Sequence, residues 1–260
     1  MKHHGGSAPG PRMPDFYDWL QRARLHLGLS REDAAKRAGI STSYVNRIER
    51  DQAHPAREVV ERLARAYQLN PWQKRHTFEL WEPSATLPPT ADLRCHVDSP
   101  ALQAHLDHLD TRYIASAYLT PLSTVLQNNR TFEEALPGLD DCDHNLALWF
   151  FTPTARRVID HWDHEALGCV AVIRAMLGRY RDTPQAQQLL RKLRASNDFQ
   201  RLWESNHLQV AYGRRTTTPI RLHIPCASTP VAIGLQVTEF GDRTDLLAVY
   251  GMVEAVAIAC

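Results

Sequence analysis

The sequence is short of cysteine, and its cysteines are not arranged in pairs. Five occur among 260 residues, far apart, and no C-x-x-C spacing is present. An odd, scattered set argues against a disulfide scaffold and against a zinc finger. We therefore expect reduced thiols in a cytoplasmic protein. The five positions are Cys95, Cys142, Cys169, Cys226 and Cys260.

Long apolar runs are also lacking. The two most apolar stretches, Leu167 to Leu177 and Leu246 to Cys260, are shorter than a membrane span, and they contain Arg174 and Glu254. Lys2 is followed by His, Gly and Pro instead of an apolar core, so we expect no signal peptide. The sequence therefore predicts no association with a membrane.

Neither sign of charge is in excess, and no known catalytic loop is present. The chain has 30 Lys and Arg against 29 Asp and Glu, and 43% of its residues are hydrophobic, which is typical of a globular protein. It contains no G-x-S-x-G, Walker or G-x-G-x-x-G motif, so we expect no enzyme. Its 13 histidines lack H-E-x-x-H and finger spacings, so we expect no metal site and no cofactor.

Composition divides the chain into four parts. Residues 1–14 are rich in Gly, Pro and His, which predicts a disordered tail. Residues 15–82 have the pattern of short helices. Residues 83–91 hold three prolines, which predicts a linker, and residues 92–260 mix strand-like and helical segments. We expect a helical domain at 15–82 and a second domain at 92–260.

The first domain is predicted to contain five helices with a very tight second turn. Asp15, Ser30 and Ser41 are in capping positions, and Gly39 ends the second helix only two residues before Ser41. So short a turn makes two helices cross steeply, which is helix-turn-helix geometry. The third helix presents hydrogen-bonding residues with no carboxylate near its leading end, as base reading requires. These residues are Thr42, Ser43, Asn46, Arg47 and Arg50.

The stretch SREDAAKRAGISTSYVNRIERDQAHP resembles the Cro/C1-type (XRE) helix-turn-helix of phage repressors and bacterial regulators. The resemblance spans about residues 15–70. It implies a buried ion pair between Arg24 and Glu49. Asp51 stands where that family usually has Gly, and Ala56 where it usually has Ser or Thr. The DNA-contacting residues that we predict are Arg31 and Arg50 at the backbone, with Ser41, Thr42, Ser43, Asn46 and Arg47 at the start and outer face of the third helix.

The second domain is predicted to have an α+β fold. Five strand-like runs flank a helical middle, two before it and three after it. This order predicts a single five-stranded antiparallel sheet with helices packed on one face. The runs are residues 112–117, 122–127, 220–224, 231–238 and 246–250.

This domain resembles the ligand-binding domain of MmyB-like transcription regulators, a family found chiefly in actinobacteria. The resemblance lies in RYIASAYLTPLSTVLQNNRTFEEAL, NLALWFFTPTARRVIDHW, FQRLWESNHLQV and DLLAVYG. It implies a PAS-like fold that in some members holds a fatty-acid-like molecule between sheet and helices. Two places depart from the family pattern: residues 214–219, which lack His-Pro, and Asn206-His207.

The apolar middle of this domain has two interpretations. It is either plain core or the lining of a lipophilic cavity, and the resemblance favours the cavity. The candidate lining residues are Tyr113, Asn128, Trp149, Phe150, Cys169, Ile173, Met176 and Trp203.

Together these features predict a cytoplasmic, sequence-specific transcription regulator. We expect a homodimer on a near-palindromic double-stranded DNA operator, responding to a small lipophilic ligand. The alternative is that the second domain binds a partner protein and no small molecule. We also expect the proline-containing linker to be semi-stiff and to pass on ligand binding as a change in the spacing of the two recognition helices.

Overall fold

A computed structural model describes residues 10–213, 219–223 and 229–253 of the chain. These residues form a helical part followed by a part that contains one sheet. Predictions for residues 1–9, for Arg214 and Arg215, and for Cys226 and Cys260 lie outside the described residues.

The first part has the five helices that the sequence predicts. Their starts follow from capping: the Asp15 carboxylate accepts from the next helical N–H groups, and Asn70 forms a capping box with Gln73. Their apolar faces meet in a core that includes Leu20 and Ile48. The helices are α1 (Phe16–His26), α2 (Arg31–Ala38), α3 (Thr42–Glu49), α4 (Arg57–Ala66) and α5 (Pro71–Trp81).

The turn between α2 and α3 depends on Gly39. Its φ is +63°, a left-handed conformation that costs a residue with a Cβ about 1–2 kcal/mol. The Ile40 N–H donates back to the Ala35 carbonyl at 3.0 Å, which closes the end of α2. Ser41 then caps α3 at once. The two helices are therefore joined by a short turn instead of a longer loop, as expected for a helix-turn-helix.

The segment after α5 lies along the second part and is held there. The Ala85 N–H donates to the Arg179 carbonyl at 2.9 Å, and the Gln185 side chain donates to the Leu87 and Pro88 carbonyls. A segment bonded at both ends does not act as the independent spacer that its prolines suggested. Another helix, α6 (Thr90–Val97), begins inside the predicted linker; it has no capping side chain, and its start was therefore not predicted.

Seven more α-helices lie in the described residues of the second part. Three of them begin with a proline in the first turn, which suits a position whose N–H has no helical partner. The helices are α7 (Pro100–Asp110), α8 (Arg130–Ala135), α9 (Leu146–Trp149), α10 (Pro153–Val158), α11 (Trp162–Arg179), α12 (Pro184–Leu193) and α13 (Asn197–Ser205).

The five-stranded antiparallel sheet is confirmed, with strand order β2-β1-β5-β4-β3. The first strand starts later than predicted because Tyr113 has a φ of +55° and lies in a turn. The strands are β1 (Ala115–Leu119), β2 (Val125–Asn128), β3 (Ile220–Leu222), β4 (Val231–Phe240) and β5 (Arg243–Val253).

Helices do not cover the sheet evenly. Every residue of β1 is buried, so both faces of the sheet are covered at this strand, whereas we expected helices on one face. Both α7 and α8 contact β1. Residues 235–239 of β4, by contrast, are exposed. The covering helices are therefore concentrated over one half of the sheet.

The end of the predicted tail is in contact with the second part. The Pro11 carbonyl accepts from Arg194 Nε at 2.6 Å, and Pro11 itself is buried. Met13 packs against the core of the second part. Residues 10–14 are therefore part of the folded structure, and only residues 1–9 of the predicted tail lie outside the description.

The two parts share a core. Ala175, Leu208 and Val210 of the second part are buried together with the apolar residues of α1–α5. At this junction α5 packs along α11, where the fully buried His76 ring faces Gly178. A Cβ on Gly178 would lie 2.4 Å from His76 Cε1, so this close approach requires glycine.

The His76 ring is neutral at the junction. Burial lowers its pKa to about 3, and the nearby Arg174 and Arg181 lower it further. Among the described residues neither ring nitrogen has a hydrogen-bond partner, and the ring lies edge-on to Trp19 with centroids 4.7 Å apart. The imidazole therefore acts here mainly as a packing group between the two parts.

Polar contacts surround this apolar centre. Arg181 donates to the Glu79, Glu82 and Gly178 carbonyls, so one side chain spans both helices. The Tyr212 hydroxyl donates to the Glu79 carboxylate, and the Arg75 guanidinium lies 3.8 Å from the centre of the Tyr212 ring. The first part is therefore fixed to the second by close packing and by hydrogen bonds.

Gly178→Ala tests the close packing of this junction. Because the new methyl group overlaps the His76 ring, we expect a loss of about 1–3 kcal/mol in the free energy of unfolding, measured by urea denaturation. Gly168→Ala is the matched control on the same helix: nothing lies within 4 Å of its Cβ position, so helix propensity should stabilise it by up to about 1 kcal/mol.

Adding His76→Ala should remove the overlap, so the double variant should lose less than the sum of the two single losses. Equal stability of Gly178→Ala and Gly168→Ala would show that the junction is not closely packed.

Candidate nucleic-acid interface

Helix α3 is held by its inner face and leaves its outer face free. Val45 and Ile48 are each 1% exposed and pack into the helical core. At the start of the helix, Ser41 Oγ accepts from the Tyr44 N–H at 3.1 Å. This cap uses the Ser41 oxygen as an acceptor and leaves its hydroxyl hydrogen for another partner. The helix is therefore a rigid platform with a defined leading end.

The predicted base-reading residues lie together on the outer face of α3. Thr42, Ser43 and Arg47 are exposed, and Asn46 is half-buried beside them. The first turn of α3 carries no acidic residue, so no carboxylate there opposes an approaching phosphate or base acceptor. The hydroxyl, amide and guanidinium groups can donate to base edges, and the first two can also accept.

Arg50 ends α3 as its C-cap and is exposed. Neither Arg47 nor Arg50 has an ion-pair partner in the part of the chain that the structure describes. Two uncompensated cations on one exposed helix attract a polyanion.

A buried carboxylate holds the three helices around this face. Arg24 donates through Nε and Nη2 to the two Glu49 oxygens at 2.5 and 3.0 Å, and the side chains are 6% and 1% exposed. The hydrogen bond that Arg24 donates to Glu49 raises the pKa of Arg24. This confirms the ion pair between α1 and α3 that the resemblance implied.

A second cation also binds the carboxylate of this ion pair. Arg31, the first residue of α2, donates to Glu49 Oε2 at 2.7 Å and remains 38% exposed. One carboxylate thus joins α1, α2 and α3, and the cluster keeps a net positive charge. We predict that Arg31 contacts a DNA phosphate, and its partly exposed side chain is accessible to one. The sequence did not reveal its bond to Glu49, because the two residues are 18 positions apart.

Two departures from the family pattern have visible consequences. Asp51 has a φ of +56°, the left-handed conformation for which glycine is favoured. Ala56 is the N-cap of α4 and provides no side-chain hydrogen bond, where Ser or Thr would provide one. Both lie in the segment between α3 and α4, and neither disturbs α3.

The predicted cavity residues of the second domain differ widely in burial. Trp149 is 2% exposed, with its indole N–H donating to the Pro137 carbonyl, and Ile173 is 4% exposed; both are core. Tyr113 is 78% exposed, because its turn directs the ring to solvent, so it does not line an interior cavity. Asn128, Phe150, Cys169 and Met176 are half-buried.

Aromatic side chains fill much of this interior. Phe151 lies edge-on to Phe199, with centroids 5.2 Å apart, and Phe199 lies 5.3 Å from Trp203. Trp162 lies within about 6.3 Å of both Phe150 and Phe151. Many of the apolar residues in the middle of the sequence are thus aromatic side chains that pack against one another.

Two clefts are present elsewhere. The larger, about 680 Å³, lies between the two parts of the molecule, and Trp203 is the one predicted cavity residue that lines it. The smaller, about 260 Å³, lies beside α12, where the buried Thr120 and Asn145 meet Gln185 and Lys192. Sequence reasoning identified neither. The one signal for the larger cleft was Arg174, a charge inside an apolar helical run.

Some kinds of site find no support in the structure. Across residues 10–213, 219–223 and 229–253, no group of three or more His, Cys, Asp or Glu side chains could hold a metal ion. Within the same ranges no helix has the length and apolar character needed to cross a bilayer.

Two protein-family models match the chain. The model of the MmyB-like transcription regulator ligand binding domain matches residues 99–255, and a helix-turn-helix model matches residues 20–71. No match was found among curated proteins. The helix-turn-helix match contains α2, α3 and all the predicted DNA-contacting residues.

Glu49→Ala tests the buried carboxylate. It leaves the Arg24 cation buried with a hydrogen bond to the Leu29 carbonyl but no carboxylate, so we expect the free energy of unfolding to fall by about 3–5 kcal/mol. The measurement is urea denaturation of the full chain, since residues of the second part complete the core of the first. The control is Glu61→Ala, whose exposed pair with Arg57 is 3.8 Å long and should contribute at most about 1 kcal/mol. Equal losses in the two variants would contradict a buried, structural ion pair.

Proposed function

The chain belongs to the MmyB-like transcription regulators and carries a DNA-binding helix-turn-helix in front of its ligand-binding domain, and we propose that it reads a two-fold-related operator as a homodimer and responds to a small lipophilic ligand. The observation that carries this proposal is the exposed, carboxylate-free leading face of α3. The family is one of transcription regulators, and we propose no enzymatic activity. We place the protein in the cytoplasm, with its DNA.

In this proposal α3 enters the major groove. Thr42, Ser43, Asn46 and Arg47 reach base edges, with Arg47 suited to a bidentate contact with guanine. The positions of the other predicted contacts suit the DNA backbone: Arg31 lies at the start of α2, Ser41 at the cap of α3 and Arg50 at its end. The Glu49 cluster fixes the angle between the helix that enters the groove and the helix that lies across it.

Dimerisation follows from the small size of the reading surface. One short helix reads few bases, and related proteins solve this with two copies on half-sites about 34 Å apart. Support for a partner surface comes from β4 and β5. Three of the large hydrophobic residues that are exposed in the described chain lie on one face of these strands, between 40 and 51% exposed: Leu235, Val237 and Val253.

A lipophilic ligand is supported by the second domain's family and by the half-buried apolar residues near the aromatic interior. Phe150, Cys169 and Met176 pack against the core while remaining partly accessible. A fatty-acid-like chain could extend this apolar packing. The competing function is a protein-interaction module, favoured by the same exposed residues on β4 and β5.

Arg47→Ala tests base reading. We expect the affinity for a duplex selected by the wild-type protein from a randomised library to fall by about 1–3 kcal/mol, measured by fluorescence anisotropy at fixed salt. The unfolding transition should not change, since Arg47 is exposed. The control, Arg191→Ala, removes an exposed arginine of α12 and should bind as wild type. Equal affinities of the two variants would refute the assignment of α3 as the reading helix.

Native mass spectrometry tests the dimer and its ligand together. We expect a dimer that retains a small molecule, identified as fatty-acid-like by its mass after extraction. Val237→Lys, on the exposed apolar face of β4, should shift the protein toward monomer. Gln236→Lys, on the opposite face of the same strand, should not. A ligand-free protein that dimerises normally would favour the interaction module, and a wild-type monomer at all concentrations would refute the dimer.

A further inference from the structure

The larger cleft, about 680 Å³, lies where the two parts of the molecule meet. Its wall includes Asp18, Trp19 and Arg22 from α1 on one side, and Arg174 and Trp203 from α11 and α13 on the other. Its volume is within the range of small-molecule sites, and such sites are common at domain interfaces.

Arg174 is a buried cation on the wall of this cleft. Its side chain is 4% exposed, and in the described residues no carboxylate pairs with it. Three N–H groups donate to main-chain carbonyls at 2.5–2.8 Å, those of Trp203, Asn206 and Gln209, and the guanidinium lies 4.4 Å from the centre of the Trp203 ring. Carbonyl dipoles and an aromatic face offset part of a buried positive charge, but they supply no formal negative charge.

The surroundings disfavour the positive charge of Arg174. Burial lowers the pKa of Arg174 to about 9, and Arg22 contributes as a like charge. Burial also lowers the pKa of His207 on the cleft wall; the same two arginines lower it further, and Asp18 and Glu204 act in the opposite direction. The Arg22 guanidinium thus acts on the same space as Arg174 and makes the Arg174 charge less favourable.

The carboxylates on the cleft wall are mostly engaged or exposed. Asp15 accepts from two N–H groups at the start of α1, and Asp18 pairs with Arg22 at 2.6 Å. Glu204 is exposed, as is Arg12. The acidic groups therefore lie toward solvent, whereas the buried charge at the junction is Arg174.

We propose that this interdomain cleft is a binding site for a small carboxylate with an apolar body, with the acid group toward Arg174 and Arg22 and the apolar body against Trp19 and Trp203. The site is separate from the lipophilic site proposed for the second domain, because Asp18, Trp19 and Arg22 of α1, in the DNA-binding part, form part of its wall. An occupant would contact both parts and stabilise the arrangement in which they meet.

Phenylacetate, phenylacetamide and phenethylamine are suitable probes, because they share a ring and differ in charge. Their binding to the full chain is measured by isothermal titration calorimetry. We expect phenylacetate to bind at least about tenfold more tightly than the neutral amide, which corresponds to about 1.4 kcal/mol, and the amine to bind most weakly.

Paired variants of α1 localise the binding. Arg22→Gln removes the half-buried second cation and should weaken phenylacetate binding several-fold, whereas Asp18→Asn frees Arg22 and should strengthen it. Both side chains are partly or fully accessible, so the fold should persist. Arg191→Gln, the matched control on α12, should leave the affinity unchanged.

The proposal is overturned by any of three results: no phenylacetate binding up to about 10 mM, a preference for the amine, or an affinity that neither Arg22→Gln nor Asp18→Asn changes. None of these results depends on DNA binding or on dimerisation. Failure of this site is therefore distinguishable from failure of the proposed function.

Discussion

The approach of α5 to α11, with the His76 ring filling the space beside Gly178, determines how the rest of the molecule is arranged. This contact needs a glycine on one helix and a neutral imidazole on the other. It places Ala175 and the chain after α13 in the core of the helical part. The DNA-binding part is therefore completed by residues of the ligand-binding part, and the two are not independent modules joined by a flexible segment.

This arrangement changes how a signal can reach the reading helix. The segment after α5 is bonded to α11 and α12 along its length, so it does not act as a separate lever. A displacement of α11 would act on α5 directly, through His76 and Arg181. From α5 the path to α3 runs through the shared core and then through α1, whose Arg24 is bonded to Glu49. Coupling by packed, rigid elements of this kind is typically about 1–3 kcal/mol.

Local signals in the sequence predicted most of the fold. Capping residues and the Gly39 turn defined α1, α2, α3 and α5, apolar periodicity defined α4, and the order of strand-like runs predicted the five-stranded sheet. The grouping of Thr42, Ser43, Asn46 and Arg47, which we predict to contact DNA, followed from the sequence because they lie within one short helix. The face of α3 that is exposed follows from the positions of Val45 and Ile48 alone.

These local signals could not predict contacts between residues that are far apart in the chain. Helix α6 lacks a capping side chain, and Tyr113 turns outward through a backbone conformation that aromatic residues seldom adopt. The aromatic interior packs on itself, which composition cannot distinguish from the lining of a cavity. The bond from Arg31 to Glu49 and the cleft around Arg174 join residues far apart in the chain, so spacing and periodicity gave no sign of them.

Differential scanning calorimetry of the full chain tests most directly whether the two parts form one body. A shared core predicts a single transition whose calorimetric and van't Hoff enthalpies agree for the cooperative unit. Two separable transitions, with the helical part unfolding on its own, would contradict the account.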